Sequence, residues 1–201
     1  MDGWMFEGIF GTAQRILMKF GTGVEHSLEE HIDRDCGVLP ITLWSGEKSR
    51  RTSMLKTPVQ LVVIQHTVSP ACYTDQACES ILRGIRIHHI IDLDFVDIGT
   101  SFLIGGNGRV YEGAGWQRIG AHTRGYNDKS ISISFIGNFN NELPRTKALK
   151  AAQDLINCGV YNNYLTKDYE LVGHRQLSAT QSPGDSLQDL IETWPHWKKF
   201  D

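Results

Sequence analysis

The sequence predicts an α/β domain, a central mixed β-sheet covered by about three α-helices, and three observations carry that prediction. The run 61–64 is continuously apolar, as a strand buried on both faces should be. Two longer segments, 75–91 and the one that follows Pro144, instead space their apolar residues at a period near 3.6. Segments of the two kinds alternate along the chain, an order that lays helices over one sheet. With 201 residues and 40% hydrophobic content, the chain is long enough for one domain with a substantial core.

Residues 1–35 read as an N-terminal extension and 36–201 as the domain. In the extension, Ile9, Ala13, Ile16, Leu17 and Phe20 recur at helical spacing, with Glu7, Gln14, Arg15 and Lys19 between them. Gly21-Thr22-Gly23 ends this amphipathic helix candidate, and a charged stretch leads to Cys36. It either packs on the domain, stays unstructured, or docks on a membrane surface or partner helix; the equal numbers of acidic and basic side chains in residues 1–20 weaken the lipid option. Within the domain, 61–64 is the buried strand, and 75–91 a helix with Cys78, Leu82, Ile85 and His89 on one face. Segments 101–104 and 109–112 flank Gly105-Gly106-Asn107-Gly108, a hairpin with turn chemistry suited to positive φ. In 130–135, Ser alternates with Ile or Phe, which predicts a half-buried strand. The helix after Pro144 keeps Ala148, Ala152, Leu155 and Ile156 on one face, 169–172 is a short strand, and 186–193 a last helix.

Composition excludes several functions. A net charge of -3 and a pI near 6.2 provide no basic field for nucleic acid. No run approaches the roughly 18 consecutive apolar residues of a membrane span. The first twenty residues lack the basic start, apolar core and cleavage site of a signal peptide. Cys72 and Cys78, with five residues between them, close a small ring easily, whereas Cys36 and Cys158 are far apart. Four cysteines allow three pairings, and four reduced core cysteines in a cytosolic protein is the alternative. His88 and His89 are adjacent on a helix and point about 100° apart, so they do not chelate one ion together. Ser182 lacks the strand-to-helix elbow of a nucleophilic serine, and Gly105-Gly106-Asn107-Gly108 lacks the Lys and helix of a phosphate loop.

One series of segments is more specific. Val62-Val63-Ile64-Gln65-His66-Thr67 is followed by Asp97-Ile98-Gly99, Phe102-Leu103-Ile104-Gly105-Gly106, Val110-Tyr111-Glu112-Gly113 and Gly120-Ala121-His122-Thr123. Gly125-Tyr126-Asn127, Phe135-Ile136-Gly137-Asn138-Phe139, Gly173-His174-Arg175, Thr180-Gln181-Ser182-Pro183-Gly184-Asp185 and Trp194-Pro195-His196-Trp197 complete it. In this order the segments resemble the peptidoglycan recognition protein family, in particular a non-catalytic, insect-type member, and that family shares its fold with N-acetylmuramoyl-L-alanine amidases. The resemblance runs from about Cys36 to Trp197. It implies disulfides Cys72–Cys78 and Cys36–Cys158, hence maturation in an oxidising compartment as a secreted protein or receptor ectodomain. An intracellular isoform is the other reading, since no signal peptide is visible.

In the hydrolytic members, the resemblance implies, zinc takes one ligand at each of the positions here occupied by Gln65, His174 and Ser182. A catalytic zinc needs three protein ligands and an open position. An amide oxygen and a hydroxyl are poor substitutes for imidazole and thiolate, and Thr100 stands where the amidases carry a Tyr. The implied function is therefore non-catalytic, with no metal and no cofactor: an innate-immune domain that binds peptidoglycan or muropeptides and triggers or modulates antibacterial signalling. The implied groove comprises His66, Thr67, His89, Asp94, Phe95, Thr100, His122, Thr123, Asn127 and His174. Leu93, Thr100 and Ala114 depart from members that grip muropeptide strongly, which carry Arg, Tyr and Arg there. Asp94-Phe95 is closer to members that prefer lysine-type stems. One alternative is a regulatory member that no longer binds peptidoglycan and acts by homo- or hetero-association with other such receptors. The other is a zinc amidase that uses His66, His174 and a third group to cut the bond between N-acetylmuramic acid and L-alanine.

Overall fold

In order along the chain come β1 (Val38–Leu39), α1 (Ile41–Ser45), β2 (Val59–His66), α2 (Asp75–Ile91), β3 (Phe102–Ile104), β4 (Val110–Glu112), β5 (Ser130–Phe135), α3 (Thr146–Tyr161), β6 (Leu165–Gly173) and α4 (Asp185–Ile191). A 3-10 turn, His174–Gln176, follows β6 directly. The computed structural model describes residues 35–47, 50 and 53–199, so the predicted amphipathic helix of the extension lies outside the described residues. The six strands form one mixed sheet in the order β1-β4-β3-β5-β2-β6. Only the β3–β4 hairpin is antiparallel; the pairs β1–β4, β3–β5, β5–β2 and β2–β6 are parallel.

The sheet is the middle of three layers. Val62 and Ile64 point to one face, into a core shared with Phe102, Ile104, Ile131 and Ile133, and with Ala152, Leu155 and Ile156 of α3 and Leu187 and Ile191 of α4. On the other face, Leu103, Tyr111 and Ile136 pack with Ile41 and Trp44 of α1 and Cys78 and Leu82 of α2. Leu61 and Val63 form a small cluster with Val172, Tyr126 and Leu177. The side chains of β2 alternate between these faces, which explains why its sequence reads as uninterrupted apolar residues. Helix α2 opens on Thr74, whose Oγ1 accepts from the Ala77 N–H at 3.3 Å.

Two strand predictions need correction, and two short elements are added. All six residues of β5 are buried, where the Ser/Ile alternation predicts a half-buried strand. The serines face the α2 side, and their hydroxyls are satisfied by hydrogen bonds there, so burial does not require apolar side chains. Strand β6 spans nine residues, not four; as the edge strand it tolerates the exposed Lys167 and Asp168. Two elements, β1 and α1, were not foreseen, since two and five residues are too short to show a period. Cys36–Cys158 and Cys72–Cys78 are both formed; the first ties the segment before β1 to α3, the second ties the loop before α2 to its first turn.

A buried ion pair fixes the loop between α2 and β3. Arg86, on the buried face of α2, donates through Nε to Asp97 Oδ1 at 2.8 Å and through Nη1 to Glu47 at 3.2 Å. Burial alone would raise the Asp97 pKa, but the Arg86 guanidinium and the N–H groups of Ile98 and Arg50 hold it below the usual carboxylate range.

Candidate functional site

Parallel pairing aligns the C-terminal ends of β2 and β5 and brings the β6 end beside them, with Gln65 directly opposite Ser134 and His66 opposite Phe135. A cleft of about 310 Å3 opens there, between these strand ends, the C-terminal half of α2 and the loops carrying His122 and Ser182. Its lining includes Gln65, His66, Thr67, His89, Thr100, His122, His174 and Ser182.

His174 reaches the cleft because β6 turns sharply at Gly173. A Cβ on Gly173 would lie 1.8 Å from Gln188 Oε1 and 3.0 Å from Pro183 Cδ, so glycine lets the turn seat against α4 with the Gln188 side chain in place. The Gly173 N–H donates to Gln176 Oε1 at 2.8 Å, and the Arg175 N–H donates to the Ser182 carbonyl at 2.7 Å. Arg175 also pairs with Asp185 of α4 at 2.6 Å. The loop bearing Ser182 is thereby tied to the turn bearing His174. On the opposite wall, a Cβ on Gly99 would lie 2.7 Å from the Ala121 carbonyl, so glycine permits the close approach of these two loops.

Gln65 and Ser182 are both committed to the protein. Gln65 Nε2 donates to the His122 carbonyl at 3.1 Å, and its Oε1 accepts from the Ser134 hydroxyl at 3.1 Å. Ser182 Oγ accepts from the His66 N–H at 3.1 Å. Thr100 shares its hydroxyl with Ser132 at 2.8 Å and Ser134 at 2.9 Å and donates to the Phe102 carbonyl at 3.2 Å. Gln65, Ser182 and Thr100 are each 5–7% exposed. Two neutral oxygens that already accept protein hydrogen bonds, beside one imidazole, do not fit a catalytic zinc. Among the described residues no group of three His, Cys, Asp or Glu is placed to hold a metal ion.

His66 Nδ1 accepts from the Phe139 N–H at 3.2 Å, which leaves the proton of the neutral ring on Nε2. Burial, with Arg175 and His174 nearby, lowers the His66 pKa to about 4. Burial lowers that of His174 as well. His89 Nδ1 accepts from the Gly99 N–H at 2.9 Å, and its ring rests on Phe95 with 5.4 Å between centroids. His122 Nδ1 lies 3.0 Å from Thr123 Oγ1.

The remaining predicted residues divide. Thr67 lines the cleft, its Oγ1 accepting from the Gly137 N–H at 3.0 Å and lying 2.7 Å from Ser69 Oγ. Thr123 is buried beneath His122, and Asn127 Oδ1 accepts from the N–H groups of His122 and Thr123 at 2.9 and 2.8 Å. Asn127 thus braces the loop. Asp94, at φ 54°, and Phe95 do not line the cleft; Phe95 supports His89 from behind. Leu93 is exposed, and Ala114 lies in a separate depression beside Trp116. Sequence reasoning missed Ser134, Ile85, His88 and Thr180 in the lining. Ser134 and Ile85 carried a signal: the serine alternation of β5 sets its hydroxyls on the Gln65 face, and Ile85 shares the helix face of His89.

A family model described as N-acetylmuramoyl-L-alanine amidase matches residues 55–185. A Trichoplusia ni protein, "Peptidoglycan recognition protein", is 51% identical over 166 residues, 83% of this chain and 91% of that one. Solved structures are similar as well, among them two with a bound ligand. The ectodomain complex of peptidoglycan recognition proteins LCa and LCx with bound tracheal cytotoxin gives a TM-score of 0.78 at 43% identity, covering 80% of this chain and 98% of that one. Peptidoglycan recognition protein LE, in complex with tracheal cytotoxin, a monomeric diaminopimelic acid-type peptidoglycan, gives 0.80 at 38%, covering 82% and 97%.

Proposed function

The chain belongs to the peptidoglycan recognition protein family, and from that membership we propose that it is a non-catalytic innate-immune domain that binds peptidoglycan or muropeptides in the cleft at the ends of β2, β5 and β6. The observation that carries this reading is the chemistry of the cleft. At the three places where hydrolytic members hold zinc, it has a hydrogen-bonded amide, a neutral imidazole and a hydroxyl that already accepts a backbone N–H. Water at such a site is not activated, because nothing lowers its pKa toward 7. The cleft retains neutral imidazoles and hydroxyls suited to the hydroxyl, amide and carboxylate groups of a saccharide carrying a peptide stem. The complexes of the LCa–LCx pair and of LE with tracheal cytotoxin support a muropeptide as ligand, and the first supports pairing with a second recognition domain.

The two disulfides favour a secreted protein or receptor ectodomain over an intracellular isoform. Among the described residues, no helix is long and apolar enough to cross a membrane. Asp94-Phe95 is closer to members that prefer lysine-type stems, and Phe95 meets the cleft only by packing on His89. The regulatory reading, in which the ligand is lost and pairing alone remains, is favoured by Thr100, whose hydroxyl is spent on Ser132, Ser134 and the Phe102 carbonyl. Sedimentation with insoluble lysine-type and diaminopimelate-type peptidoglycan separates the two. Recovery in either pellet supports recognition, and recovery in the lysine-type pellet alone the stem preference; recovery in neither pellet overturns recognition.

A further inference from the structure

The two disulfides sit in different surroundings. Cys72 and Cys78 are 1% and 0% exposed, enclosed with Leu82, Leu103 and Tyr111 in the core between α2 and the sheet. Cys36 and Cys158 are each half-buried, where the last turn of α3 meets the chain entering β1. Thiol–disulfide exchange requires a thiolate to reach sulfur, so exposed bonds open in preference to enclosed ones.

What the Cys36–Cys158 bond holds in place is short. Strand β1 has two residues, forms the edge of the sheet and has β4 as its one neighbour there. Cys36, at φ 51°, is kept in the left-handed region beside Gly37 at φ 66°, a conformation that costs a residue with a Cβ and that opening the bond relaxes. Release stops at α1. The Ile41 N–H donates to Glu112 Oε2 at 2.9 Å, and Trp44, fully buried, donates from Nε1 to the Glu112 carbonyl at 2.9 Å. Segment 36–40 is therefore able to leave the sheet while the two main cores stay packed.

Asn162, at the C-terminal cap of α3, points its amide at both sulfurs: Nδ2 donates to Cys158 Sγ at 3.2 Å and lies 3.6 Å from Cys36 Sγ. The end of the α3 dipole opposes a thiolate on Cys158, so this amide is the group that makes Cys158 a leaving group. We propose that Cys36–Cys158 is a thiol-responsive latch, whose reduction by a small thiol such as glutathione frees β1 and uncovers the β4 edge for strand pairing. A glutathione thiolate attacks Cys36 Sγ, the S–S bond breaks, and its electron pair stays on Cys158 Sγ. A second glutathione thiolate attacks the mixed disulfide and displaces Cys36 as a thiolate. Both cysteines then take protons from water; two glutathione thiols are oxidised to one disulfide, and one protein disulfide is reduced.

The test incubates the oxidised full chain in glutathione buffers of graded reduced-to-oxidised ratio, alkylates it and maps the labelled cysteines by peptide mass spectrometry. Cys36 and Cys158 are labelled at ratios about tenfold or more below those that label Cys72 and Cys78. In the selectively reduced chain, hydrogen exchange rises at the Val38 and Leu39 amides, while the Ile41 amide and the Trp44 indole stay protected. Asn162→Ala slows opening by about three- to tenfold, the share of one hydrogen bond. Four results overturn the proposal: a Cys36–Cys158 bond that opens with or after Cys72–Cys78, one that stays closed throughout, unchanged exchange at Val38 and Leu39 once it has opened, or opening of Asn162→Ala at the parent rate.

Discussion

Gln65 closes a ring of hydrogen bonds among β2, β5 and the His122 loop, so its amide stabilises the cleft wall in place of a metal ion. Changing Gln65→His together with Ser182→Cys supplies, with His174, an imidazole–imidazole–thiolate set. Metal analysis after dialysis is expected to find about one equivalent of zinc in that variant and none in the parent chain. Zinc retained by the parent contradicts the non-catalytic reading. His66 makes a prediction about pH. Its folded pKa, near 4, lies below the unfolded value of about 6.5, so the unfolded chain binds the additional proton between these limits. The stability it contributes is complete above about pH 6.5 and is lost as pH falls toward 4. Solvent reaching the ring through the cleft screens part of this, which leaves on the order of 1–2 kcal/mol. Denaturant unfolding from pH 7.5 to 4 measures it, and His66→Asn flattens that part of the profile.

Helix α2 carries both a cleft wall and a structural clamp, and the clamp was not legible in the sequence. Cys78, Leu82 and His89 announce its inner face by their spacing, but Arg86 on the same face reads as an ordinary surface cation until the fold places Asp97 beside it. Arg86→Leu leaves Asp97 charged and buried, so chemical denaturation is expected to register a loss of about 3–5 kcal/mol. The same change lets the segment holding Thr100 move, and amide exchange at Gly99 and Thr100 rises. β5 makes the converse point. Its alternation gave the correct strand, but the burial of its serines depends on Thr100 and Gln65 across the sheet, partners that no local pattern reveals. The Cys36–Cys158 bond encloses a loop with a sequence separation of 122 residues. Replacing both cysteines with serine is expected to cost about 2–5 kcal/mol, measured by thermal unfolding under non-reducing conditions.

At the scale of the whole molecule, the sheet divides two surfaces: the cleft at the parallel strand ends under α2, and the Trp116 depression on the α3 side. Strands β2 to β5 and the two long helices were legible because short segments carry them in fixed order, and so was the part of the cleft lining that those segments contain, such as His66, Thr67 and His174. The positions of Phe95 behind His89, of Asn127 beneath the loop and of Ala114 outside the cleft were not, since each depends on how loops distant in sequence meet. The separation of the surfaces predicts that changes in the depression leave cleft binding intact. The central claim is recognition without hydrolysis. Incubation of the purified chain with insoluble lysine-type peptidoglycan, with and without added zinc, tests it in a single measurement of bound protein and released stem peptide. The account predicts protein in the pellet and no stem peptide in the supernatant at either zinc level; protein confined to the supernatant, or stem peptide released, contradicts it.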